Sequence, residues 1–477
     1  MKKSLALFVG VVLFSILIAF RAVDLPITHD EASTWLNYRH LNVFSCLSNY
    51  GCWGSANNHW LNTLLLQWSA GLFGEAPWAL RLPNVFAGIL YFVAAALLSM
   101  RYIKQPVLQV AGFLLLVAQI YLLDFFSLAR GYGMMSCGVL WGIYGMLRYV
   151  ENLDLRWLSI VVTSLVLSVL GNFTALVPWA SIGLGWFVWW LLMHPQEKIA
   201  LLMRHSIPWV VSAIILTVLL SFPIKVLSAS GEFEWGSSGP WAMMVDLVTN
   251  LLYGRKYFGE HSPEYLLYGL MLASGIVVAT VLLNKKTDSR NQVFILFVLL
   301  LCNFFVLIVQ QKFSGAQAPV GRKSIFLIPF IFGLLAVGLN LIKQNMTGIL
   351  LGGVLSVALL YHMSRSFPWS GCREWYYDAH YPELLSSILP EGTASDSVRL
   401  GSSWIFNPAL VFYQQTQSLP LSGLVYQKQI VIDSTMQYYY LDPSDTIGMY
   451  SRPFVLDKNF GPFLLYKRVV PGTDILK

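Results

Sequence analysis

The run LALFVGVVLFSILIAF, residues 5–20, holds no charged side chain, and Lys2 and Lys3 stand just before it. A basic flank followed by an apolar run begins a signal peptide or a first membrane helix. No small-x-small cleavage site follows, so the run reads as a retained helix whose basic end lies in the cytoplasm. Immediately beyond it comes Ile27-Thr28-His29-Asp30-Glu31-Ala32-Ser33-Thr34-Trp35. Two adjacent carboxylates with a histidine beside them therefore sit at the mouth of a membrane. The chain has only 24 Asp and Glu in 477 residues, so the pair calls for an account beyond that of a solvated loop.

The composition extends the membrane reading to the whole chain. It is 56% hydrophobic and 12% charged, with a mean hydropathy of +0.61, whereas a soluble domain carries about 25% charged residues. Seventeen Trp, 23 Tyr and 29 Phe suit a protein with two membrane interfaces to anchor. The net charge of +7 does not point to nucleic acid, because most of the Lys and Arg lie in short loops, where they act as topology signals.

Ten further apolar runs follow, at 80–100, 107–123, 132–147, 157–170, 176–193, 207–227, 265–283, 293–309, 324–341 and 348–363. Each approaches the roughly 20 residues that a bilayer requires. Alternating them places Arg101, Lys104, Arg148, Arg156, Lys198, Arg204, Lys285, Lys286, Arg290 and Lys343 on the side of Lys2. The expectation is a polytopic α-helical protein of about 11 transmembrane helices in the cytoplasmic membrane. Its helical domain spans residues 1–365 and includes a long first external loop, 21–79. A second external loop runs from 228 to about 263. Beyond 365 the chain turns polar, with scattered Pro, Gly and Asp. Runs such as 410–413 and 430–433 read as strands, and residues 386–390 as the end of a helix, so 366–477 is expected to be a small extracytoplasmic α/β domain. Cys137 and Cys302 fall inside apolar runs. Cys46 and Cys52 share the first external loop, where an oxidising compartment permits a disulfide.

Polar residues at or near the external side are the candidates for chemistry. They include Asp30, Glu31, Asn58, His59, Arg81, Asp124, Arg130, Tyr132, Arg255, Lys256, Arg322 and Lys323. External cations run against the positive-inside bias. They either snorkel at the interface or meet an anion such as a lipid phosphate. External carboxylates with external cations suit a reaction in which a base activates a nucleophile while cations stabilise a departing phosphate. A polyprenyl-phosphate-linked sugar fits, its tail in the bilayer and its head at the external face.

The ordered set of the Asp30-Glu31 pair, Asn57-Asn58-His59, Ala79-Leu80-Arg81-Leu82-Pro83-Asn84 and Ser127-Leu128-Ala129-Arg130-Gly131-Tyr132 resembles the bacterial GT-C glycosyltransferases. It is similar to protein O-mannosyltransferases and to the lipid A aminoarabinose transferase. Pro319-Val320-Gly321-Arg322 and Pro329 are similar to the family's Arg-and-Pro segment opening a late span. The resemblance implies a GT-C fold and an inverting transfer of sugar from a polyprenyl phosphate to a hydroxyl acceptor. By that match Asp30 is the base that takes the acceptor's proton. Glu31 orients the acceptor or helps hold a divalent cation, where the family uses one, with His59 as another ligand candidate. Arg81, Arg130, Arg255, Lys256, Arg322 and Lys323 are candidates for the donor phosphate. Asn58, His59, Asp124 and Tyr132 are candidates for substrate contact. The acceptor, whether glycan, lipid or protein, stays open, because the tail matches no carbohydrate-binding module. The competing reading is a transporter or flippase for a lipid-linked or anionic precursor. Most spans, however, lack the mid-membrane ionisable groups that such proteins carry.

Overall fold

The computed structural model describes residues 2–48, 55, 57–194, 196, 199–231, 236–284, 289–342, 345–389, 397–448 and 453–469. Cys52 and the loop cations Lys198, Lys285, Lys286 and Lys343 lie outside the described residues. The chain forms two compact units. One comprises 1–22, 41–69 and 80–367; the other comprises 23–40, 70–79 and 368–477. The linear division at 365 leaves 23–40 and 70–79 with the membrane part, whereas they pack with the C-terminal segment.

The first unit is helical. Eight helices among the described residues are long and apolar enough to cross a membrane. A ninth is gained if Pro106–Val117 and Ile120–Phe126, bent by 63° at their junction, form one span. The eleven expected spans are all helical, but two fall short. Leu155–Gly171 has 17 residues. Tyr132–Asn152 is long enough, but Gly133, Gly138, Gly142 and Gly145 dilute its apolar side chains.

Those glycines have a packing reason. A Cβ at Gly138 would run into the Ser164 carbonyl, and one at Gly145 would stand 2.9 Å from the Val161 side chain. A Cβ at Gly131, just before the helix, would collide with the Gly171 carbonyl. The order of these meetings makes Tyr132–Asn152 and Leu155–Gly171 an antiparallel hairpin with touching backbones. Lipid supplies no hydrophobic drive for such a pair, so small residues and close contact hold it. Ser168 adds a hydrogen bond to the Met135 carbonyl at 2.5 Å. The first helix, Lys2–Asp24, shows the other membrane signature. It buries Leu7, Phe14, Ile18 and Ala22 along one stripe, while Leu5, Phe8, Leu13, Ile16 and Phe20 are exposed on the other. An apolar outer face of that size suits hydrocarbon and not water.

The second unit carries a five-stranded mixed sheet of β1 (Val398–Ser402), β2 (Leu421–Ser422), β3 (Tyr438–Leu441), β4 (Phe454–Phe460) and β5 (Phe463–Arg468). Its order is β2-β1-β3-β5-β4. β1 runs parallel to both neighbours, while β5 is antiparallel to β3 and β4. Alternation along β3 sends Tyr439 and Leu441 into one cluster with Ile432, Phe454 and Tyr466. Tyr440 meets the aromatic rings of Phe406, Phe460 and Phe463 instead.

Both expected strands are overturned. Residues 410–413 lie in the helix Asn407–Thr416. Phe406, Ala409, Leu410 and Tyr413 are buried at helical spacing, and Pro408 suits a first helical turn. Residues 430–433 form no strand: the Asp433 carboxylate accepts the Thr435 N–H at 2.8 Å and closes a turn.

Candidate active site

The acid pair opens the helix His29–Tyr38 in the second unit. Thr28 is its N-cap, and Glu31 completes a capping box. The Glu31 carboxylate accepts the Thr28 N–H at 3.0 Å and the Thr28 hydroxyl at 2.9 Å. This reciprocal arrangement satisfies donors that a helix start leaves open. Glu31 is fully buried, and Asp30 is 7% exposed. Glu31 therefore fixes the turn on which Asp30 stands. His29 donates its backbone N–H to Asp378 at 2.7 Å, and its Nδ1 lies 2.7 Å from the Ile405 carbonyl. A carbonyl only accepts, so Nδ1 carries the proton there. The chain before the helix is tied to Asn407–Thr416, where the Tyr413 hydroxyl accepts the Ile27 N–H at 3.0 Å.

Asp378 itself is buried, and burial holds its carboxyl well above the usual range. The donors Tyr381 and His29 pull it down, and the nearby charges of Asp30 and Glu31 push it up. A raised folded-state value means that the fold favours the protonated acid. The associated stability is present below the ordinary aspartate range, about 3.9, and is lost as pH rises through the raised value. Thermal unfolding of purified protein across pH should show this loss, and Asp378→Asn should flatten it. Identical pH profiles for the two proteins would contradict the assignment.

In the helical unit, Asp124 forms an ion pair with Arg21 at 2.7 Å, with both side chains buried. The Tyr253 hydroxyl donates to the other Asp124 oxygen at 2.8 Å, and the Arg21 guanidinium lies over the Phe367 ring. Arg81 is fully buried and donates to the Ala22 carbonyl at 3.1 Å. Arg130 donates to Asn57 at 3.0 Å. Asn58 donates to the Cys46 carbonyl at 2.9 Å and accepts from Thr63 at 3.1 Å. The Asp124 and Arg81 contacts join helices, whereas those of Asn58 tie a loop to the helices beside it.

A cavity of about 430 Å³ in this unit gathers three of the expected residues, His59, Tyr132 and Lys323. His59 meets Tyr132 edge to face, centroids 5.1 Å apart, and the Arg322 guanidinium stands 5.9 Å from the Tyr132 ring centre. Aliphatic side chains, including Ile224, Leu227 and Leu307, line the same space. Lys323 reaches it on the short helix Gly321–Leu327, with Arg322 beside it at the Tyr132 ring. Gly321 takes φ +56, a conformation that favours glycine. Its N–H is held by Asp246 at 2.5 Å, and Ser237 bridges to Ala318 just upstream. The other external cations lie elsewhere. Arg255 donates to the Arg365 carbonyl, and Lys256 pairs with Glu260 at the surface. Among the described residues no three His, Cys, Asp or Glu side chains are grouped as a metal site requires, so no step is assigned to a metal. The anchoring roles of Asp246 and Arg21 were not visible in sequence, since each depends on a partner far along the chain.

The chain thus combines a multi-span helical unit with a unit that carries a small C-terminal sheet. Two crystal structures share this fold: ArnT from Cupriavidus metallidurans in the apo state, with a TM-score of 0.55, and the same protein bound to undecaprenyl phosphate, with a TM-score of 0.51. Each match covers 97% of this chain and 98% of that chain at 11% identity, which establishes a common fold. No family model and no curated protein sequence matches the chain.

Proposed function

We propose that this protein is an inverting glycosyltransferase. It moves a sugar from a polyprenyl-phosphate donor to a hydroxyl acceptor at the external face of the cytoplasmic membrane. The observation that carries this reading is the cavity, in which Lys323 shares the walls with aliphatic side chains. An ammonium beside hydrocarbon suits a ligand that is a phosphate at one end and an isoprenoid at the other. The likeness to a fold solved with undecaprenyl phosphate bound supports the same class of ligand. In the proposed reaction Asp30 takes the acceptor's proton and the acceptor oxygen attacks the anomeric carbon. The bond to the phosphate oxygen breaks and configuration inverts. Lys323 and Arg322 stabilise the charge that gathers on the departing phosphate.

The roles of the cations are separable. Charge-assisted contacts contribute roughly 1.5–3 kcal/mol, so Lys323→Ala and Arg322→Ala should each weaken binding of undecaprenyl phosphate to the purified protein about tenfold or more. Arg255→Ala and Lys256→Ala should change it little, because their contacts lie on the Arg365 carbonyl and on Glu260. Unchanged affinity in both Lys323→Ala and Arg322→Ala would place the phosphate elsewhere and remove the observation on which the function rests.

A further inference from the structure

Asn172 stands between the helix Leu155–Gly171 and the short helix Phe173–Ala175. It is 3% exposed, and it lines the cavity that holds His59, Tyr132 and Lys323. Its Oδ1 accepts the Thr174 N–H at 3.0 Å and the Thr174 hydroxyl at 2.8 Å. A backbone N–H only donates, so the carboxamide cannot be turned the other way. Its oxygen must face Thr174, and Nδ2 is left as its remaining polar group. Among the described residues Nδ2 has no hydrogen-bond partner. A buried donor without a partner is destabilising, and such a cost persists in a cavity wall when a ligand supplies the missing acceptor.

We propose that Asn172 is a ligand-binding residue whose Nδ2 donates to an oxygen of the lipid's phosphate. This inference rests on the proposed function and adds a neutral donor beside the cations. The N-cap geometry holds the amide in one orientation, so the donor is in place before the ligand arrives.

The test uses the full-length protein in detergent with undecaprenyl phosphate as the probe. Asn172→Asp keeps the N-cap oxygen but replaces the donor with an acceptor, and Asn172→Ser keeps a capping oxygen but is too short to replace Nδ2. Both should retain the wild-type melting temperature. Binding should weaken at least about tenfold in the Asp variant and several-fold in the Ser variant. Wild-type affinity in the Ser variant would overturn the donated bond, leaving only charge repulsion to act in the Asp variant. Weaker binding that merely follows a loss of folded protein would overturn it too. If the wild-type protein does not bind the probe, the proposed function fails and this inference fails with it. If wild type binds and both variants bind equally well, only the inference fails.

Discussion

Asp30→Asn is expected to give a folded, membrane-inserted protein that still binds the lipid-linked donor and transfers sugar at least about a hundredfold more slowly. A hydroxyl is a poor nucleophile until its proton leaves as the new bond forms. Asn keeps the shape of the side chain but cannot take that proton. The backbone around position 30 is held by groups other than the Asp30 carboxylate: the Thr28–Glu31 capping box, the His29 N–H on Asp378 and the Ile27 N–H on Tyr413. The substitution should therefore leave the fold alone. Glu31→Gln should do the reverse. It weakens a capping box, which costs on the order of 1 kcal/mol, and it should lower stability more than transfer per folded molecule. Donor binding, single-turnover transfer and melting, measured on both variants, separate the two acids. Near-normal transfer in Asp30→Asn would remove Asp30 as the base.

The second large effect is expected at Arg21 and Asp124. Removing one partner of a buried ion pair strands the other charge, at a cost of about 3–5 kcal/mol. The pair here is 2.7 Å apart with both side chains out of solvent. Asp124→Ala and Arg21→Met should each yield little folded protein, judged by melting and by monodispersity after extraction. Their combination should recover part of the loss, because no uncompensated charge remains. If Asp124 served the substrate instead, Asp124→Ala would melt like wild type while losing transfer. That result would restore the role its sequence position suggested.

The helices were legible in the sequence because each is an apolar run bounded by polar or basic residues. The close packing of Tyr132–Asn152 was not legible there, because hydropathy does not show that Gly138 and Gly145 let two helix backbones touch. In the tail, 410–413 looked like a strand because four apolar residues in a row hide their period. Only with Phe406 and Ala409 included does the helical spacing show. The candidate site was legible in its residue types but not in its grouping. His59, Tyr132 and Lys323 line one cavity, while Arg255 and Lys256 bind groups away from it. Asn172 gave no sequence signal, since a single amide between two apolar runs does not disclose which of its atoms lacks a partner.

Lipid extraction from cells lacking the gene tests whether the protein consumes a polyprenyl-phosphate-linked sugar. Mass spectrometry of the polyprenyl-phosphate fraction should show a sugar-bearing species that accumulates in the deletion. Wild-type protein should clear it on complementation, and Asp30→Asn should not. An unchanged pool of polyprenyl-phosphate sugars in the deletion would contradict the claim.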